Sequence, residues 1–545
     1  MEKILFLVPM NISYEDFVNP AYNARIEKKQ NGDFTSIFTD MPLGIISMSA
    51  YIKKFVPVET KLIDFNLVLN EIKSFKYKSF TELIASTLKG TNFNPTIIGI
   101  SSLFTPSYQN IIEMAKCCRK IFPDALIISG GSVPTNLYKE IYRDSPDFDA
   151  LCYGEGEKPL LGLVKAKNKF SYLQNSPSWI TREKIDRPSE LKFDFIYDLD
   201  EIPFYDYSIC DTDKYANNPN ISVYGGVKKK RRNFVVMTSR GCPHRCCFCS
   251  SHKVHGREMR FFSLKRVTED FCKLKNEYKA ETFVFQDDHF MADKKRSLKI
   301  LNLIKELRVT AIFQNGIALY TLERDVLEAF KSAGINQIVL AVESGSNNVL
   351  KKIMHKPLDL NIVKRVSNDC RELGIYTDIN IMIGLPGETK NDIEDTRLFL
   401  KSMHANWFRI MVATPLVGSE LLDICIKNNY VKDGYIDCNF KKAVISTPDF
   451  TAKWIQEKAY TLNLELNFIS NADMALGDYN MALRGFKAVL AAKSDHPFAF
   501  YYAAQCYRAL GETEKAKKYI ITAKQLVKKD PLWRKYTDMF HLTIK

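Results

Sequence analysis

The sequence lacks the features that would carry a chain into or across a membrane. No stretch approaches the roughly 20 apolar residues that a membrane helix needs, and the N-terminus has neither the basic start nor the long apolar run of a signal peptide. Cysteine is sparse outside one short segment, with 13 cysteines in 545 residues. We therefore expect a cytoplasmic protein with reduced thiols, in which a tight group of cysteines indicates metal binding or catalysis before a disulfide framework.

Nothing in the composition is typical of a disordered or fibrous chain. Hydrophobic residues make up 46% and charged residues 26% of the sequence, near the averages of folded domains. A chain of 545 residues is too long for one core, so we expect several domains. The net charge of +14 and the basic run at residues 228–232 are typical of proteins that bind nucleic acid. We favour a solvated loop as the explanation of the basic run, and an anionic substrate or an acidic partner as the explanation of the net charge. We therefore expect no nucleic-acid partner.

The first 165 residues alternate short apolar runs with helical patterns. The runs are residues 4–8, 60–64, 96–101, 125–129 and 150–153. This alternation predicts an α/β fold with a doubly wound, Rossmann-like parallel sheet, in which ligands bind beyond the carboxyl ends of the strands. The residues of those loops are Pro42, Leu43, Gly44, Ser101, Leu103, Gly130, Gly131, Gly154 and Glu155. Taken singly, each loop also fits an ordinary turn.

A second α/β region follows a segment with little periodicity. Residues 166–232 are rich in Pro, Asp and Lys, so we predict a linker wrapped over the body of the protein. From there the alternation resumes, with candidate strands at residues 234–238, 282–286, 310–313, 337–342, 377–383 and 407–412. Six βα units predict a partial (β/α)6 barrel over residues 233–430, with functional residues in the loops after the strands.

The C-terminal region, residues 431–545, is helical and internally repeated. Gly477, Ala482, Phe486 and Pro497 recur 34 residues later as Gly511, Ala516, Ile520 and Pro531. This period, with small residues at helix-packing positions, resembles the tetratricopeptide repeat. Two repeats are few, so we expect the pair to pack on the preceding domain or on helices around residues 451–468. The pair then serves as a peptide-binding surface or as a structural cap.

Four cysteines lie within eight positions directly after the first barrel strand, in the segment R-G-C-P-H-R-C-C-F-C-S at residues 240–250. Cys247 falls out of register and is expected to be structural. The remaining three, in the spacing C-x3-C-x2-C, are Cys242, Cys246 and Cys249. Three thiolates on one loop suit three corners of a cuboidal iron–sulfur cluster, but soft thiolates suit zinc as well. A Cys3His zinc site using His244 or His252 is the alternative.

This cysteine loop, placed after the first strand of a partial barrel, resembles that of the radical S-adenosylmethionine (SAM) family. Members hold SAM through loops after the second, fourth and fifth strands, which here read F-Q-D-D-H-F, E-S-G-S and I-G-L-P-G-E-T. The resemblance implies a [4Fe-4S] cluster on the three cysteines, with SAM on its open iron. It also implies SAM contacts from Phe248 to adenine, from Asp287 or Asp288 to the ammonium group, from Glu343 and Ser344 near the ribose, and from Gly384, Pro386 and Gly387 to adenine.

The N-terminal sheet, placed before such a barrel, resembles the cobalamin-binding domain of one large subclass, and the resemblance covers about residues 1–430. Its S-x-L and G-G signatures stand at residues 101–103 and 130–131, where they would line the tunnel for the nucleotide tail. In cobalamin-dependent mutases a D-x-H-x-x-G signature supplies a histidine to cobalt. The matching residues 64–69 read D-F-N-L-V-L, so the resemblance implies cobalamin without its own base and without a protein histidine on cobalt.

The resemblance also implies a reaction, because a weakly ligated cobalt holds methyl in a form that a carbon radical attacks readily. We expect a methyltransferase that moves methyl from methylcobalamin to a substrate carbon after a 5′-deoxyadenosyl radical has abstracted hydrogen, with an electron donor such as flavodoxin or ferredoxin. The alternative with the same cofactors is a cyclase or rearrangement enzyme resembling the anaerobic tetrapyrrole cyclases. A zinc-stabilised repeat adaptor without turnover is the alternative from another class.

The substrate, a small molecule or a peptide, is not identified by the sequence. Polar residues near strand ends that either face it or serve packing are Tyr108, His289, Tyr320, Asn380 and Arg409. Isolated cysteines, namely Cys425, Cys438 and Cys506, are expected to be buried small apolar residues.

Overall fold

The protein is described here by a computed structural model. The described residues are 1–20, 24, 26–37, 39–216, 232–431 and 442–544. Cys438 and the basic run at residues 228–232, apart from Arg232, lie outside them. Within these ranges no helix is long and apolar enough to cross a membrane.

The N-terminal apolar runs form the predicted doubly wound sheet. Its elements in chain order are β1 Glu2–Val8, α1 Tyr14–Val18, β2 Ile26–Lys29, β3 Gly32–Thr35, α2 Leu43–Phe55, β4 Val58–Asp64, α3 Phe65–Glu71, α4 Phe80–Lys89, β5 Ile97–Ser101, α5 Tyr108–Ile121, β6 Leu126–Gly130, α6 Ser132–Asn136, α7 Tyr138–Asp144, β7 Ala150–Cys152, α8 Glu157–Lys165, α9 Lys169–Asn175 and β8 Trp179–Ile180. The sheet order is β4-β1-β5-β6-β7-β8, parallel except for β8. The order reverses between β1 and β5, and in such sheets the ligand crevice lies at that switch point.

Both faces of this sheet are covered by apolar cores. Along β1, Leu5 and Leu7 are buried in one core, whereas Ile4 and Phe6 are buried in the other. Successive side chains of a strand point to opposite faces, so a strand buried on both sides reads as an unbroken apolar run. This is why the sequence predicts β1 without an alternating pattern.

The segment predicted as a linker, residues 166–232, is partly built into the domains on either side. Helix α9 precedes β8, and β8 pairs with β7 through Trp179 opposite Cys152 and Ile180 opposite Leu151. A two-residue strand is too short to leave a periodicity in the sequence. Side chains further along, Ile196, Leu199, Ile202, Tyr207 and Tyr215, are buried in the barrel core. The segment ends, as described, with the short helix α10 Thr212–Ala216.

The predicted partial barrel is confirmed. Its elements are β9 Asn233–Val236, β10 Ser239–Arg240, α11 His252–His255, β11 Arg260–Phe261, α12 Leu264–Asn276, β12 Thr282–Phe285, α13 Lys294–Leu307, β13 Thr310–Phe313, α14 Arg324–Ser332, β14 Gln337–Glu343, α15 Leu360–Glu372, β15 Tyr376–Ile383, α16 Lys390–Lys401, β16 Trp407–Val412 and α17 Glu420–Lys427. Parallel strands form the groups β13-β12-β9 and β14-β15-β16. A single bridge between Ile317 and Leu340 joins the two groups.

The C-terminal region is helical and packs on the barrel. Its helices are α18 Ala452–Leu464, α19 Ala472–Ala475, α20 Tyr479–Ala492, α21 Pro497–Ala509, α22 Thr513–Lys529 and α23 Pro531–Met539. Helices α20 and α22 begin 34 residues apart, as do α21 and α23. Phe468 and Phe486 stack at 5.5 Å, and both contact Trp407 of β16. The tetratricopeptide identity itself stays a prediction.

Candidate functional site

The three predicted cluster cysteines lie on one loop between β10 and α11, and all three are half-buried. Gly241 opens the loop at φ +92°, and a Cβ there would overlap the Glu258 carbonyl oxygen, so only glycine fits. Burial raises the pKa of Cys242 to about 11 and also raises the pKa of Cys246, and the neighbouring thiols add to both shifts. Because these thiols resist ionisation alone, a metal centre is what would hold them as thiolates.

The three thiols are soft ligands, which suit a cuboidal iron–sulfur cluster and also zinc. Among the described residues, no three His, Cys, Asp or Glu side chains converge closely enough to hold one metal ion. A cuboidal cluster would take each thiolate on a separate iron. His244, one of the two histidines that a Cys3His zinc site could use, has its Nε2 hydrogen-bonded to the Tyr320 hydroxyl at 2.7 Å; the other is His252.

Cys247 and Phe248 lie in the same loop but against the barrel core. Cys247 is buried; its N–H donates to the Met354 carbonyl at 3.1 Å, and its carbonyl accepts from the Leu421 N–H at 2.9 Å. Phe248 is half-buried against the same core. The loop is therefore anchored through the backbone of the one cysteine that falls out of register.

Glu343, predicted at the ribose, ends β14 in an unusual backbone conformation. Its φ is +73°, and the pairing of β14 with β15 shifts register beside it. A left-handed φ in a residue other than glycine costs energy and concentrates at functional sites. Burial raises the pKa of Glu343, and the charge of Lys356 opposes that shift. Lys356 was not predicted; its charge is also felt by Cys246.

Ser344 lies inside the same loop but fastens it rather than facing open space. It is fully buried, and its Oγ lies 3.1 Å from the Thr396 Oγ1. Ser346 donates to Asp392 at 2.8 Å. Thr396 and Asp392 belong to α16, which follows the fifth-strand loop, so the two loops predicted to hold SAM are tied to each other. Ser344 thus supports the loop, and its direct contact with SAM stays a prediction.

The fifth-strand turn is held by a glutamate that the sequence analysis did not single out. Glu388 is fully buried, and its Oε2 accepts from the Gly384 N–H at 2.6 Å and the Leu385 N–H at 3.1 Å. Burial raises the pKa of Glu388 to about 8. A Cβ on Gly384 would lie 2.8 Å from Ile455 of α18, which packs behind the turn. Pro386 and Gly387 stand at its outer rim.

The structure separates the two aspartates predicted as alternatives at the SAM ammonium. Asp287 accepts from the Thr238 hydroxyl at 2.7 Å, the Thr238 N–H at 3.0 Å and the Ser239 hydroxyl at 2.6 Å. It therefore fastens the end of β9 to β12. Burial raises the pKa of Asp288, which lies within electrostatic reach of His255 and Cys242. The protein contacts of Asp287 make Asp288 the stronger candidate, and which of the two binds the SAM ammonium stays a prediction.

Three polar side chains from three loops meet at the barrel mouth. The Tyr320 hydroxyl is 2.7 Å from Nε2 of His244 and 2.7 Å from Nε2 of His289. A hydroxyl carries one hydrogen, so one imidazole must donate while the other accepts. Burial, with the charges of His244 and Lys356, lowers the pKa of His289 to about 4. Tyr320 is 39% exposed, and a substrate contact of His289 and Tyr320 stays a prediction.

The other predicted substrate residues lie elsewhere. Tyr108 is buried in the N-terminal domain and donates to Asp144 at 2.7 Å. Arg409 is third from the start of β16 and donates to Asp378 at 2.9 Å, so it lies toward the amino ends of the strands. Tyr108 begins α5 and Arg409 stands in the first half of β16, so both fit the packing alternative given for them in the sequence analysis. Asn380 is half-buried in β15, and its Oδ1 has no hydrogen-bond partner among the described residues.

The two predicted nucleotide-tail signatures lie side by side at the carboxyl edge of the N-terminal sheet. The Ser102 N–H donates to the Gly130 carbonyl at 2.9 Å, and the Val133 N–H donates to the Ser102 carbonyl at 3.2 Å. Gly131 has φ +108°, and a Cβ there would overlap the Ser102 carbonyl oxygen. Only glycine therefore lets the two loops, which follow β5 and β6, approach this closely.

The same edge offers open apolar surface. Leu103, directly after β5, is 55% exposed and Phe104 is 49% exposed. A Cβ on Gly44, at the start of α2, would meet nothing within 4 Å. Pro42 and Leu43 before it are half-buried. Room and apolar area next to glycine-rich backbone fit a large, partly apolar macrocycle.

Asn66 occupies the position of the histidine in the D-x-H-x-x-G signature. It is 1% exposed; it accepts from the Asn11 N–H and donates to the Pro9 carbonyl, each at 2.9 Å. It also donates to Asp64 at 3.0 Å, and Asp64 accepts from the Tyr215 hydroxyl at 2.8 Å. The Asn66 amide is therefore fully engaged within the protein, which fits cobalamin bound without a protein ligand from this position.

Glu155 has a position that the sequence analysis did not foresee. Its Oε1 accepts from Arg260 at 2.6 Å and pairs with Nδ1 of His255 at 2.8 Å, while its Oε2 accepts from Arg260 at 2.9 Å and pairs with Arg240 at 3.1 Å. Both oxygens are engaged within the protein, and the predicted cobalamin contact of Glu155 stays a prediction. A Cβ on Gly154 would overlap the Phe193 ring, so Gly154 also belongs to this joint between the domains.

Two family matches lie within the two α/β regions. Residues 82–164 match the B12 binding domain, and residues 236–400 match the Radical SAM superfamily. The chain is 28% identical to an uncharacterized methyltransferase of Pyrococcus horikoshii over 71% of this chain and 80% of that protein. It is 25% identical to cytidylyl-2-hydroxyethylphosphonate methyltransferase of Streptomyces wedmorensis over 78% of this chain and 86% of that protein.

A further relative has a different named reaction, and solved structures share the fold. Anaerobic magnesium-protoporphyrin IX monomethyl ester cyclase of Rubrivivax gelatinosus is 24% identical over 61% of this chain and 59% of that protein. The cobalamin-dependent S-adenosylmethionine radical enzyme OxsB matches 99% of this chain and 81% of its own, with a TM-score of 0.59 and 13% identity. The radical S-adenosylmethionine methyltransferase TsrM of Kitasatospora setae has a TM-score of 0.57 at 15% identity and covers 79% of this chain and 77% of its own.

Proposed function

We propose that this chain, which carries a radical SAM domain behind a B12-binding domain, is a cobalamin-dependent radical SAM methyltransferase acting on a substrate carbon. The observation that supports this most is the joint between Glu155 and Arg240. Glu155 follows the last parallel strand of the N-terminal sheet, and Arg240 stands two residues before Cys242. The carboxyl edge proposed for cobalamin therefore lies against the loop proposed for the cluster, as a reaction that uses both requires.

The residues proposed to hold each cofactor follow from the geometry above. Cys242, Cys246 and Cys249 would hold the cluster; Phe248, Asp288, Glu343 and the turn at residues 384–387 would hold SAM; residues 42–44, 101–103 and 130–131 would line the cobalamin site. When bound, the cluster supplies the electron that splits SAM, and cobalamin carries the methyl group. The two named methyltransferases among the relatives support methyl transfer as the outcome.

The side chains at the barrel mouth would orient the substrate. Burial keeps His289 uncharged at neutral pH, since its pKa is about 4, and burial raises the pKa of Tyr320 to about 12. The pair is therefore a neutral hydrogen-bonding unit. Because Tyr320 is 39% exposed and its hydroxyl contacts His244 of the cysteine loop, that hydroxyl is the group that an oxygen or nitrogen of the substrate would meet and that would align the reacting carbon.

Partners are proposed from charge and chemistry. An acidic one-electron carrier such as flavodoxin or ferredoxin would supply electrons, and the net charge of +14 favours its approach. We propose that the C-terminal helices act as a cap on the barrel, with a protein or peptide contact through them as the alternative. We also propose a cytoplasmic location, where the cluster thiols stay reduced.

One labelling experiment tests the proposed reaction. The reconstituted protein is incubated anaerobically with a low-potential reductant, SAM carrying a deuterated methyl group, and small-molecule extract of cells that lack the protein. We expect one metabolite to gain the deuterated methyl and 5′-deoxyadenosine to form with it. Matched incubations with Cys246→Ala protein should show neither.

The cyclase relatives support a second candidate, a radical ring closure or rearrangement with the same cofactors. The same experiment separates the two. A new product without deuterium, formed with 5′-deoxyadenosine, would favour the cyclase reaction and contradict methyl transfer. Absence of 5′-deoxyadenosine with every extract would contradict both.

A further inference from the structure

We infer that Glu155, Arg240 and Arg260 form a buried clamp that fixes the spacing between the two cofactor sites, with Glu155 as a positioning residue. The inference rests on the proposed function, because the clamp has something to position only if both sites are used. Its three side chains are 3–4% exposed. They come from two domains, since Glu155 follows β7 and the arginines belong to β10 and β11 of the barrel.

The clamp closes on both ends of the cysteine loop. Strands β10 and β11 pair Arg240 with Arg260, and the three cysteines lie between these two positions. Arg260 binds both oxygens of Glu155 in a fork, and His255, also after the cysteines, adds a third contact. One carboxylate of the N-terminal domain therefore holds the beginning and the end of the loop together.

Charge keeps the clamp closed. Burial alone would raise the pKa of Glu155, but the charge of Arg240 and the hydrogen bonds from His255 and Arg260 outweigh it and hold the pKa well below its usual range. Glu155 is thus ionised throughout the neutral range. Removing one partner of such a buried group leaves an uncompensated charge, so the arrangement resists partial opening.

A second carboxylate extends the clamp into the N-terminal domain. Glu157, at the start of α8, accepts from Arg240 at 2.7 Å and from the Ser47 hydroxyl at 2.7 Å. Ser47 is on α2, the helix that begins at the loop of residues 42–44 proposed for cobalamin. Arg240 is therefore linked through Glu157 to α2, the helix behind the loop proposed for cobalamin. Along the chain, Arg240 stands two residues before Cys242, the first of the cluster cysteines.

Aromatic rings fill the rest of the joint. Tyr153 and Phe193 stack at 4.6 Å with an interplanar angle of 4°, and Phe193 stacks on Phe195 at 5.0 Å. The Arg260 guanidinium lies 4.4 Å from the centroid of Phe195. Fixed hydrogen-bond directions and stacked planes leave little room for sliding. The rate of a reaction between two positioned groups falls about 100-fold when one group is misplaced by about 1 Å. A rigid joint between the domains would therefore preserve the rate of the proposed reaction.

The test measures the distance between the two cofactors in the holoprotein. With cobalamin as Co(II) and the cluster reduced by one electron, both are paramagnetic, and pulsed electron paramagnetic resonance reports their magnetic interaction. Glu155→Gln keeps the shape of the side chain but removes its charge. We expect it to shift or broaden the distribution of distances between the two cofactors, while iron and corrinoid contents stay at the wild-type level. Glu59→Gln, which removes an exposed ion pair with Lys3 in the same domain, should leave it unchanged.

Arg260→Lys is the second variant, and it serves also if Glu155→Gln fails to fold. It keeps the positive charge but loses the fork and the stacking, so the distribution should broaden with both cofactors bound. A wild-type distribution in every variant that folds overturns the inference. The inference is also overturned if Glu155→Gln alone loses corrinoid while the distance between the cofactors in Arg260→Lys is unchanged. In that case the Glu155 carboxylate would act on the corrinoid itself. Wild-type protein that binds no cluster or no corrinoid overturns the proposed function itself.

Discussion

The side chain of Asn467 binds the backbone of Phe408 on both sides. Its Oδ1 accepts from the Phe408 N–H and its Nδ2 donates to the Phe408 carbonyl, each at 2.8 Å. Phe408 is on β16, the terminal strand of its group as described. A side-chain amide thus takes the place of a neighbouring strand, and such edges need cover. The C-terminal helices are in this sense part of the barrel.

Asn467→Ala should therefore destabilise the protein strongly. The change leaves a buried N–H and a buried C=O without partners, which costs about 3 kcal/mol in the free energy of unfolding. Urea unfolding followed by circular dichroism measures it. Asn428→Ala is the control, because that side chain is exposed and bonds only the Ile424 carbonyl at a helix end; its effect should be about 0.5 kcal/mol. Equal midpoints for the two variants would contradict the proposed edge cover.

The parts of the fold that the sequence predicts are those whose pattern is local and long. β14, β15 and β16 are six to eight residues each and largely apolar, so their existence and order could be predicted. The hairpin of β2 and β3 was missed because its strands have four residues each and are largely exposed. β8 was missed because two residues carry no period, and tertiary pairing with β7 alone makes it a strand.

The candidate site also has parts that a local pattern predicts and parts that depend on tertiary packing. The cysteine spacing is local, so it indicates a metal centre, iron–sulfur or zinc, without the fold. Which aspartate serves a ligand depends on Thr238 and Ser239, which are 48 to 49 residues away from Asp287. The position of Glu155 depends on Arg260, 105 residues away. Such contacts are made by the packing of two domains, and no local pattern encodes them.

Cys247 provides a matched control for the cluster cysteines. Replacing Cys242, Cys246 or Cys249 by alanine should reduce iron content and iron–sulfur absorbance to background after anaerobic reconstitution. Cys247→Ala should keep both, at a stability cost of about 1 kcal/mol, because its backbone bonds to Met354 and Leu421 remain. Zinc in the wild-type protein, or unchanged iron in the first three variants, would contradict the cluster assignment.

Tyr320→Phe should separate substrate handling from cofactor binding. The change removes the hydroxyl held by His244 and His289 but keeps the ring. We expect methylated product in the labelling assay to fall at least about tenfold, with iron content and 5′-deoxyadenosine formation retained. Tyr197→Phe, at a side chain 63% exposed, is the control and should match the wild type. A proportional loss of 5′-deoxyadenosine would point instead to a role in SAM binding.

The corrinoid should lack a nitrogen ligand. Asn66 stands at the ligand position with its amide engaged by Asn11, Pro9 and Asp64. The Co(II) state of the holoprotein should therefore show no nitrogen superhyperfine splitting in its electron paramagnetic resonance spectrum, whereas free cobalamin with its base bound shows it in a parallel sample. Nitrogen splitting in the protein spectrum would mean that the base stays on cobalt or that another side chain replaces it.

The C-terminal helices should lose stability as the pH falls, because of one buried histidine. His496 caps α21 by accepting from the Ala499 N–H at 3.2 Å, and its ring lies 5.1 Å from Phe468 and 4.7 Å from Trp533. Burial, with the charge of Lys493, lowers its pKa from 6.5 to about 3. Between these two pH values His496 is protonated in the unfolded chain but not in the folded one. The free energy of unfolding therefore keeps this contribution above about pH 6.5 and declines below it, by at most about 1.4 kcal/mol per pH unit.

His496→Asn isolates this contribution, since asparagine is also a good N-cap but does not titrate. Urea unfolding followed by tryptophan fluorescence at about pH 7.5, 6.5 and 5.5 should show a smaller loss of stability in the variant than in the wild type, by about 1 kcal/mol over the acid step. His541→Asn, at an exposed residue after α23, should keep the wild-type slope. If His496→Asn and the wild type decline in parallel, His496 takes up its proton without unfolding, and the cap tolerates the charge.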